Sequence, residues 1–161
     1  MFLHIAIEEF QSKKEMYDHI CDILPGMLME TSNVVSNLAN ASALLGLFLK
    51  EVNWVGFYLL KDSLLQLGPF QGKPAVPTIP PGAGVCGTAA AERRTQVVDD
   101  VHKCENHIAC DISSSSEIVV PLIRDGETIG VLDIDSPLTS RFDQYDKDGL
   151  ERFAKILLQH I

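Results

Sequence analysis

Two pairs of strand-like segments, each closed by a short turn, most constrain the fold of this 161-residue chain. The turns are Lys61-Asp62-Ser63 and Arg124-Asp125-Gly126-Glu127. Connections this short join antiparallel neighbours, because a parallel connection needs about a dozen residues. The sequence therefore predicts an antiparallel sheet that contains both pairs. The predicted strands are 53–60 with 64–70 and 117–123 with 128–135.

Helical patterns lie at the two ends of the chain. Apolar residues recur at helical spacing over about 10–24 and 32–49, and Pro25-Gly26 is expected to end the first helix. Asp143 fits the N-cap of a last helix. We therefore predict an α+β fold in one domain, residues 1–161, with the terminal helices packed on one face of the sheet.

The stretch between the two strand pairs is expected to cover the other face. Residues 74–84 contain four prolines and two glycines, which predicts a loop. A short helix over 84–91 and a strand over 95–98 follow. The long polar stretch 99–116 is typical of a functional loop, so we expect a ligand pocket under these loops.

The charge balance excludes two classes of partner. The net charge is -9 and the pI is about 4.9, which opposes binding to nucleic acids and to anionic membranes. The first residues lack the pattern of a signal peptide, so we expect a cytoplasmic protein whose cysteines are thiols. The four cysteines are Cys21, Cys86, Cys104 and Cys110.

Two of these cysteines are candidates for chemistry. Cys110 lies in a polar segment that runs from His107 to Glu117, which indicates an accessible thiol. Cys86 falls in the first turn of the predicted short helix, where backbone N–H groups favour a thiolate. The alternative interpretation is two unrelated free thiols.

Acidic residues form a second candidate group. Strand alternation places Asp133 and Asp135 on one face, opposite Leu132 and Ile134, and Glu117 begins the neighbouring strand. Close carboxylates repel, which raises the pKa of one of them and keeps it protonated. The alternative is a solvated acidic edge.

Trp54 and Tyr58 share a strand face, and Gly56 between them leaves space for a small apolar pocket. Ordinary core packing is the alternative for these two aromatic residues. A metal site is not predicted, because the one close group of ligands matches no structural zinc spacing. That group is His102, Cys104, His107 and Cys110.

Several motifs in order resemble one family, from about residue 40 to the C-terminus. The motifs are Asn53-Trp54-Val55-Gly56-Phe57-Tyr58, Gly68-Pro69-Phe70-Gln71-Gly72-Lys73-Pro74-Ala75, Gly84-Val85-Cys86-Gly87-Thr88-Ala89, Asp100-Val101-His102, His107-Ile108-Ala109-Cys110-Asp111, Ser116-Glu117-Ile118-Val119, Gly130-Val131-Leu132-Asp133-Ile134-Asp135-Ser136 and Arg141-Phe142. They are similar to the free methionine-(R)-sulfoxide reductases, which are GAF-domain enzymes.

The resemblance implies a GAF fold and the reduction of free L-methionine (R)-sulfoxide. Cys110 matches the nucleophile of the family, which becomes a sulfenic acid and then a disulfide. Thioredoxin or another external dithiol restores the thiols, and no bound cofactor is implied. The residues that match the substrate site of the family are Glu117, Asp133 and Asp135 among the acids and Trp54 and Tyr58 in the aromatic wall.

The chain departs from the family pattern at one of the resolving cysteines, which are the cysteines that form a disulfide with the oxidised nucleophile. Val76 stands where the family commonly has a cysteine, and Cys104 and Asn106 stand where it usually has an aromatic residue and glycine. Cys86 matches the other resolving candidate, so we expect it to pair with Cys110, with Cys104 as the alternative. A GAF module that binds a small ligand without turnover is the alternative function. We also expect a homodimer, by analogy with other GAF domains.

Overall fold

The computed structural model describes residues 9–103 and 113–161. Within these ranges no helix is long and apolar enough to cross a membrane. The helices are α1 (Lys13–Leu28), α2 (Val34–Phe48), α3 (Gly84–Glu92) and α4 (Gln144–Leu157), with a 3₁₀ turn at Val101–Lys103. The strands are β1 (Trp54–Lys61), β2 (Leu64–Gln71), β3 (Thr78–Ile79), β4 (Gln96–Val98), β5 (Ser116–Arg124) and β6 (Glu127–Ser136).

The predicted antiparallel sheet is confirmed. Its strand order is β3-β2-β1-β6-β5-β4, and every pair is antiparallel. Asp62 and Ser63 both have positive φ, at 51° and 63°, as a type I′ hairpin turn requires. Asp125 and Gly126 do the same at 51° and 79°. The short strand β3 was not predicted, because its two residues lie in a proline-rich stretch.

The first helix is longer than predicted. It continues through Pro25-Gly26 to Leu28, so the prediction that this pair ends it was wrong. Proline removes one backbone hydrogen bond inside a helix. Burial of Met27 and Leu28 in the core offsets that loss, and Met29 N–H still donates to the Pro25 carbonyl at 3.0 Å.

The predicted α+β arrangement is confirmed by the packing of the two sheet faces. One face carries the main core, which α1, α2 and α4 cover. The opposite face carries a second apolar cluster together with α3. Sheet residues in the main core are Val55, Phe57, Ile118, Val120, Leu122, Leu132 and Ile134. Trp54, Tyr58, Val119 and Val131 belong to the second cluster.

A buried carboxylate ties the terminal helices together. Asp146 is fully buried, accepts two bonds from Arg141 Nη1 at 3.1 and 3.2 Å, and pairs with Lys13. Tyr17 OH donates to Asp146 Oδ1 at 2.9 Å. Asp143 is the N-cap of α4 as predicted, and it forms a capping box with Asp146.

Replacing Tyr17 by phenylalanine is expected to remove an alkaline loss of stability. Burial, followed by the Asp146 carboxylate, raises the pKa of the Tyr17 hydroxyl well above its ordinary value. Above about pH 10 the unfolded chain therefore loses a proton that the folded protein keeps, and the free energy of unfolding falls as pH rises. Tyr17→Phe should cost about 1–3 kcal/mol at neutral pH and flatten this slope.

The check is urea unfolding of both proteins between pH 8 and pH 11. Tyr145→Phe is the matched control, because the Tyr145 side chain is 60% exposed. That control should keep the wild-type slope. An unchanged slope in Tyr17→Phe would mean that another group governs the alkaline range.

Candidate active site

The two strand aspartates are buried on the sheet face opposite the main core. Leu132 and Ile134 pack into the main core, so alternation along β6 turns Asp133 and Asp135 the other way. Both aspartates are 0% exposed. Glu117 is 2% exposed and lies on the same face of β5, since its neighbour Ile118 packs into the main core. A solvated acidic edge is therefore excluded.

Strand register sets these acids side by side. Trp54 pairs with Asp135, and Asp135 pairs in turn with Glu117, which makes one row across β1, β6 and β5. The next row contains Gly56 and Asp133. Directly paired residues place their Cβ atoms about 5 Å apart. Three carboxyl groups thus share one end of the sheet with an aromatic ring.

Helix α3 brings a thiol to these acids. Cys86 lies in the first turn of the helix and is 3% exposed. Its Sγ lies 4.0 Å from Glu117 Oε1, at the long end of the range for a thiol–carboxylate hydrogen bond. A Cβ at Gly87 would lie 2.5 Å from the Pro80 carbonyl oxygen, so glycine is required for this close packing.

The same group has the donor atoms for a cation. Cys86 Sγ and one carboxylate oxygen each from Glu117 and Asp133 lie within 4.8 Å of one another. A mixed sulfur and oxygen set of this kind suits a thiophilic divalent ion such as Zn²⁺. Of the four residues weighed as a zinc group in the sequence, only His102 falls within the described ranges, and its side chain is exposed.

The aromatic pair forms a stacked wall beside the acids. Trp54 and Tyr58 are buried, with ring centroids 6.0 Å apart and planes inclined by 24°. Phe70 of β2 also stacks on Trp54, with the two ring centroids 5.1 Å apart. A Cβ at Gly56 would lie 2.6 Å from the Trp54 ring and 2.3 Å from Phe70 Cβ. The Trp54 ring and Phe70 can therefore lie this close to position 56 only because that residue is glycine.

The polar ends of the same two rings hold a chain segment, which sequence reasoning missed. Trp54 Nε1 donates to the Lys73 carbonyl and Tyr58 OH donates to the Val76 carbonyl, each at 3.0 Å. The segment 73–76 thus crosses the end of the aromatic wall. Buried Trp and Tyr side chains need hydrogen-bond partners for their N–H and O–H groups. The predicted loop after β2 was the feature of the sequence that could have indicated where those partners lie.

Asn53 was also missed, although it precedes the predicted aromatic pair. Its Nδ2 lies 3.3 Å from Ser113 Oγ and 3.4 Å from Ser114 Oγ, and Lys73 Nζ lies 3.4 Å from Ser113 Oγ. These contacts hold Ser113 beside the site, and Ser113 lies three residues after the predicted nucleophile Cys110. Cys110 and the alternative resolving Cys104 themselves lie outside the described residues.

Known proteins share this architecture and sequence. A family model of the GAF domain matches residues 26–161. The free methionine-R-sulfoxide reductase of Escherichia coli (strain K12) is 48% identical over 143 residues, covering 89% of this chain and 87% of that protein. The Saccharomyces cerevisiae protein of the same name is 43% identical over 96% of this chain and 90% of its own length.

The chain belongs to the free methionine-R-sulfoxide reductase family of GAF domains. An X-ray structure of the Neisseria meningitidis member in complex with its substrate superimposes with a TM-score of 0.92. That protein is 42% identical, and the match covers 98% of this chain and 95% of that one. The predicted family and fold are confirmed. The GAF match also begins earlier, at residue 26, than the resemblance from about residue 40 indicated.

Proposed function

We propose that this chain is an oxidoreductase that reduces free L-methionine (R)-sulfoxide to methionine, with Cys110 as its nucleophile. The observation that carries the proposal is the buried group of one thiol and three acids beside a stacked aromatic wall, in a chain of this family. A site that only binds a ligand has no need of a buried thiol against a carboxyl group.

The first half-reaction transfers oxygen to the enzyme. The Cys110 thiolate attacks the sulfoxide sulfur while a neutral carboxyl group protonates the sulfoxide oxygen. In the adduct that forms, the protonated oxygen moves to the Cys110 sulfur while the new S–S bond and the S–O bond of methionine break. Methionine leaves with the electron pair, and Cys110 is left as a sulfenic acid. Burial and a neighbouring carboxyl both favour the neutral form that this proton donor needs.

The other groups of the site are assigned to substrate binding. An ionised carboxylate among Asp133 and Asp135 would hold the substrate ammonium as a charge-assisted pair. Trp54 and Tyr58 would contact the S-methyl group, since their stacked faces are the apolar side of the site. This division explains why a free amino acid, with its ammonium exposed, would be preferred to a methionine sulfoxide inside a peptide.

The second half-reaction forms a disulfide that an external dithiol reduces, with thioredoxin as the proposed donor. Cys86 is the proposed resolving residue, and Cys104 is the alternative. Val76 lies in the same apolar cluster as Cys86 and Tyr58, so the position that commonly supplies a cysteine in the family offers none here. Cys21 packs into the main core on the other sheet face, which excludes it as a partner in this fold.

Mass spectrometry after one turnover without reductant is expected to find a Cys86–Cys110 disulfide. Cys86→Ser should then stop after about one methionine per protein when thioredoxin is the reductant, because no protein disulfide forms. Cys104→Ser is the matched control and should continue to turn over. A Cys104–Cys110 disulfide in the wild type would instead assign resolution to Cys104.

We also infer that the chain acts as one GAF domain over 1–161, without a bound cofactor, as a cytoplasmic homodimer. A thiol mechanism recycled by a dithiol requires a reducing compartment, which supports the cytoplasmic assignment. Sedimentation velocity at micromolar concentration tests the dimer directly. A single species of monomer mass would contradict it.

The experiment that tests the activity compares four substrates at one concentration with dithiothreitol as the reductant. They are free L-methionine (R)-sulfoxide, its (S) epimer, N-acetyl methionine (R)-sulfoxide and a peptide that contains methionine (R)-sulfoxide. Only the first should release methionine rapidly. Calorimetric binding of this substrate without turnover would favour the alternative, a GAF sensor module.

A further inference from the structure

The thiol of Cys86 and the carboxyl group of Glu117 meet inside the protein, although 31 positions separate them in the chain. We propose that Glu117 serves both half-reactions, giving its proton to the sulfoxide oxygen in the first and taking the Cys86 proton in the second. This inference rests on the proposed function, in which Cys86 resolves the sulfenic acid of Cys110.

Geometry favours Glu117 for the second role. Cys86 Sγ lies 4.0 Å from Glu117 Oε1, and both side chains are nearly fully buried, at 3% and 2% exposure. A buried thiol cannot readily pass its proton to bulk water, so a base must lie within reach of the sulfur. The position of Cys86 in the first turn of α3 favours the thiolate that this transfer produces.

The protonation states of the two half-reactions fit one carboxyl group. In the first, Glu117 loses its proton to the oxygen that becomes the Cys110 sulfenic acid, and so becomes a carboxylate. In the second, this carboxylate takes the proton of Cys86, and the Cys86 thiolate attacks the Cys110 sulfur. The S–S bond forms, the S–O bond breaks, and the departing hydroxide takes the proton back from Glu117 as water.

The cycle closes without another proton donor in the protein. At the disulfide stage Glu117 is ionised. Reduction by the external dithiol brings two electrons and two protons. Cys86 recovers its thiol with one proton, and the other returns to Glu117 while Cys110 is left as the thiolate. Each step therefore leaves Glu117 and the two cysteines in the protonation states that the next step requires.

Asp133 is the competing base, because one of its oxygens also lies within 4.8 Å of the Cys86 sulfur and the Glu117 carboxylate. Glu117 is assigned the role because its contact with the sulfur lies within hydrogen-bond range. Glu117→Asp keeps a carboxyl group at this position on a shorter side chain. Its rate of disulfide formation between Cys86 and Cys110 should therefore lie between those of the wild type and Glu117→Gln.

The test forms the sulfenic acid without the sulfoxide step. Reduced full-length protein in a Cys104→Ser background is mixed with one equivalent of hydrogen peroxide, which oxidises the Cys110 thiolate to the sulfenic acid. The hydroxide that peroxide releases takes the proton of Glu117 and leaves as water, so Glu117 is ionised as it is after the sulfoxide step. Samples are quenched over time with iodoacetamide, and the Cys86–Cys110 disulfide is measured by mass spectrometry. Dimedone traps any sulfenic acid that persists.

Glu117→Gln should slow disulfide formation at least about tenfold and allow the dimedone adduct to accumulate. Its rate should also rise with pH, as hydroxide replaces the missing base, more steeply than that of the wild type. Glu30→Gln is the matched control, because Glu30 is exposed in the connection between α1 and α2. It should follow the wild type.

Disulfide formation at the wild-type rate in Glu117→Gln would overturn the proposal. It would also be overturned if Asp133→Asn slowed disulfide formation and Glu117→Gln did not. Should Glu117→Gln fail to fold by circular dichroism, the Glu117→Asp rate and its pH profile decide between the same outcomes. Methionine release by the wild type is measured separately. If Glu117→Gln slows disulfide formation after peroxide but the wild type does not turn over the sulfoxide, the proposed function is contradicted and the role of Glu117 as base for Cys86 is not.

Discussion

The Cys110→Ser variant is expected to turn over free methionine (R)-sulfoxide at least about 10³-fold more slowly than the wild type, because the covalent nucleophile is removed. A serine hydroxyl is almost entirely protonated at neutral pH, and its oxygen cannot form a sulfenic acid or a disulfide. The loss should therefore appear in the first half-reaction, as absence of the single equivalent of methionine that the wild type releases without reductant.

The measurement is methionine released by chromatography, in a single-turnover experiment and in the steady state with dithiothreitol. Cys21→Ala is the matched control, since Cys21 is buried in α1 on the opposite side of the sheet. It should keep the single equivalent of methionine after correction for folded protein. Equal activity of the wild type and Cys110→Ser, or inactivity of both, would refute the assigned nucleophile.

The Gly56→Ala variant should lose roughly 100-fold in kcat/KM, because displacing a positioning group by about 1 Å has that scale of effect. The added methyl group would lie 2.6 Å from the Trp54 ring and 2.3 Å from Phe70 Cβ, so both must move. The row that pairs Gly56 with Asp133 would shift with them. Overpacking of this kind also costs about 1–3 kcal/mol of stability.

Kinetics at a temperature where the variant is fully folded separate these two effects. Gly26→Ala is the matched control, because a Cβ at Gly26 of α1 meets no atom within 4 Å. Alanine in a helix should leave kcat/KM unchanged and slightly raise the free energy of unfolding. If Gly56→Ala retained wild-type kcat/KM, the position of the Trp54 ring would have no role in substrate binding.

Local pattern was enough to predict most of the architecture. The two short turns predicted the antiparallel pairs, and each has the positive φ angles that its hairpin needs. Asp143 predicted the start of α4, because a side-chain cap is a contact between residues that are neighbours in sequence. Alternation along β6 predicted that Asp133 and Asp135 share a face, since the period of a strand is a local property.

Where the local pattern failed, a contact between distant parts of the chain outweighed it. Pro25 is a strong signal for the end of a helix, yet burial of Met27 and Leu28 in the core keeps α1 helical beyond it. The strand β3 exists because β2 offers it a pairing edge, and its two residues, although β-branched, are too few to show a strand pattern among the prolines around them. Propensity is a weak prior that tertiary packing overrides.

The sequence by itself determined the family, the α+β fold and the residue types available for chemistry, including Cys86, Glu117, Asp133 and Asp135. Only the tertiary structure decided that the acids are buried and that the sulfur of Cys86 reaches Glu117. The physical reason is that strand alternation specifies a face but not what covers it. The cover, and with it the thiol–carboxyl pair, depends on how α3 docks against β5 and β6.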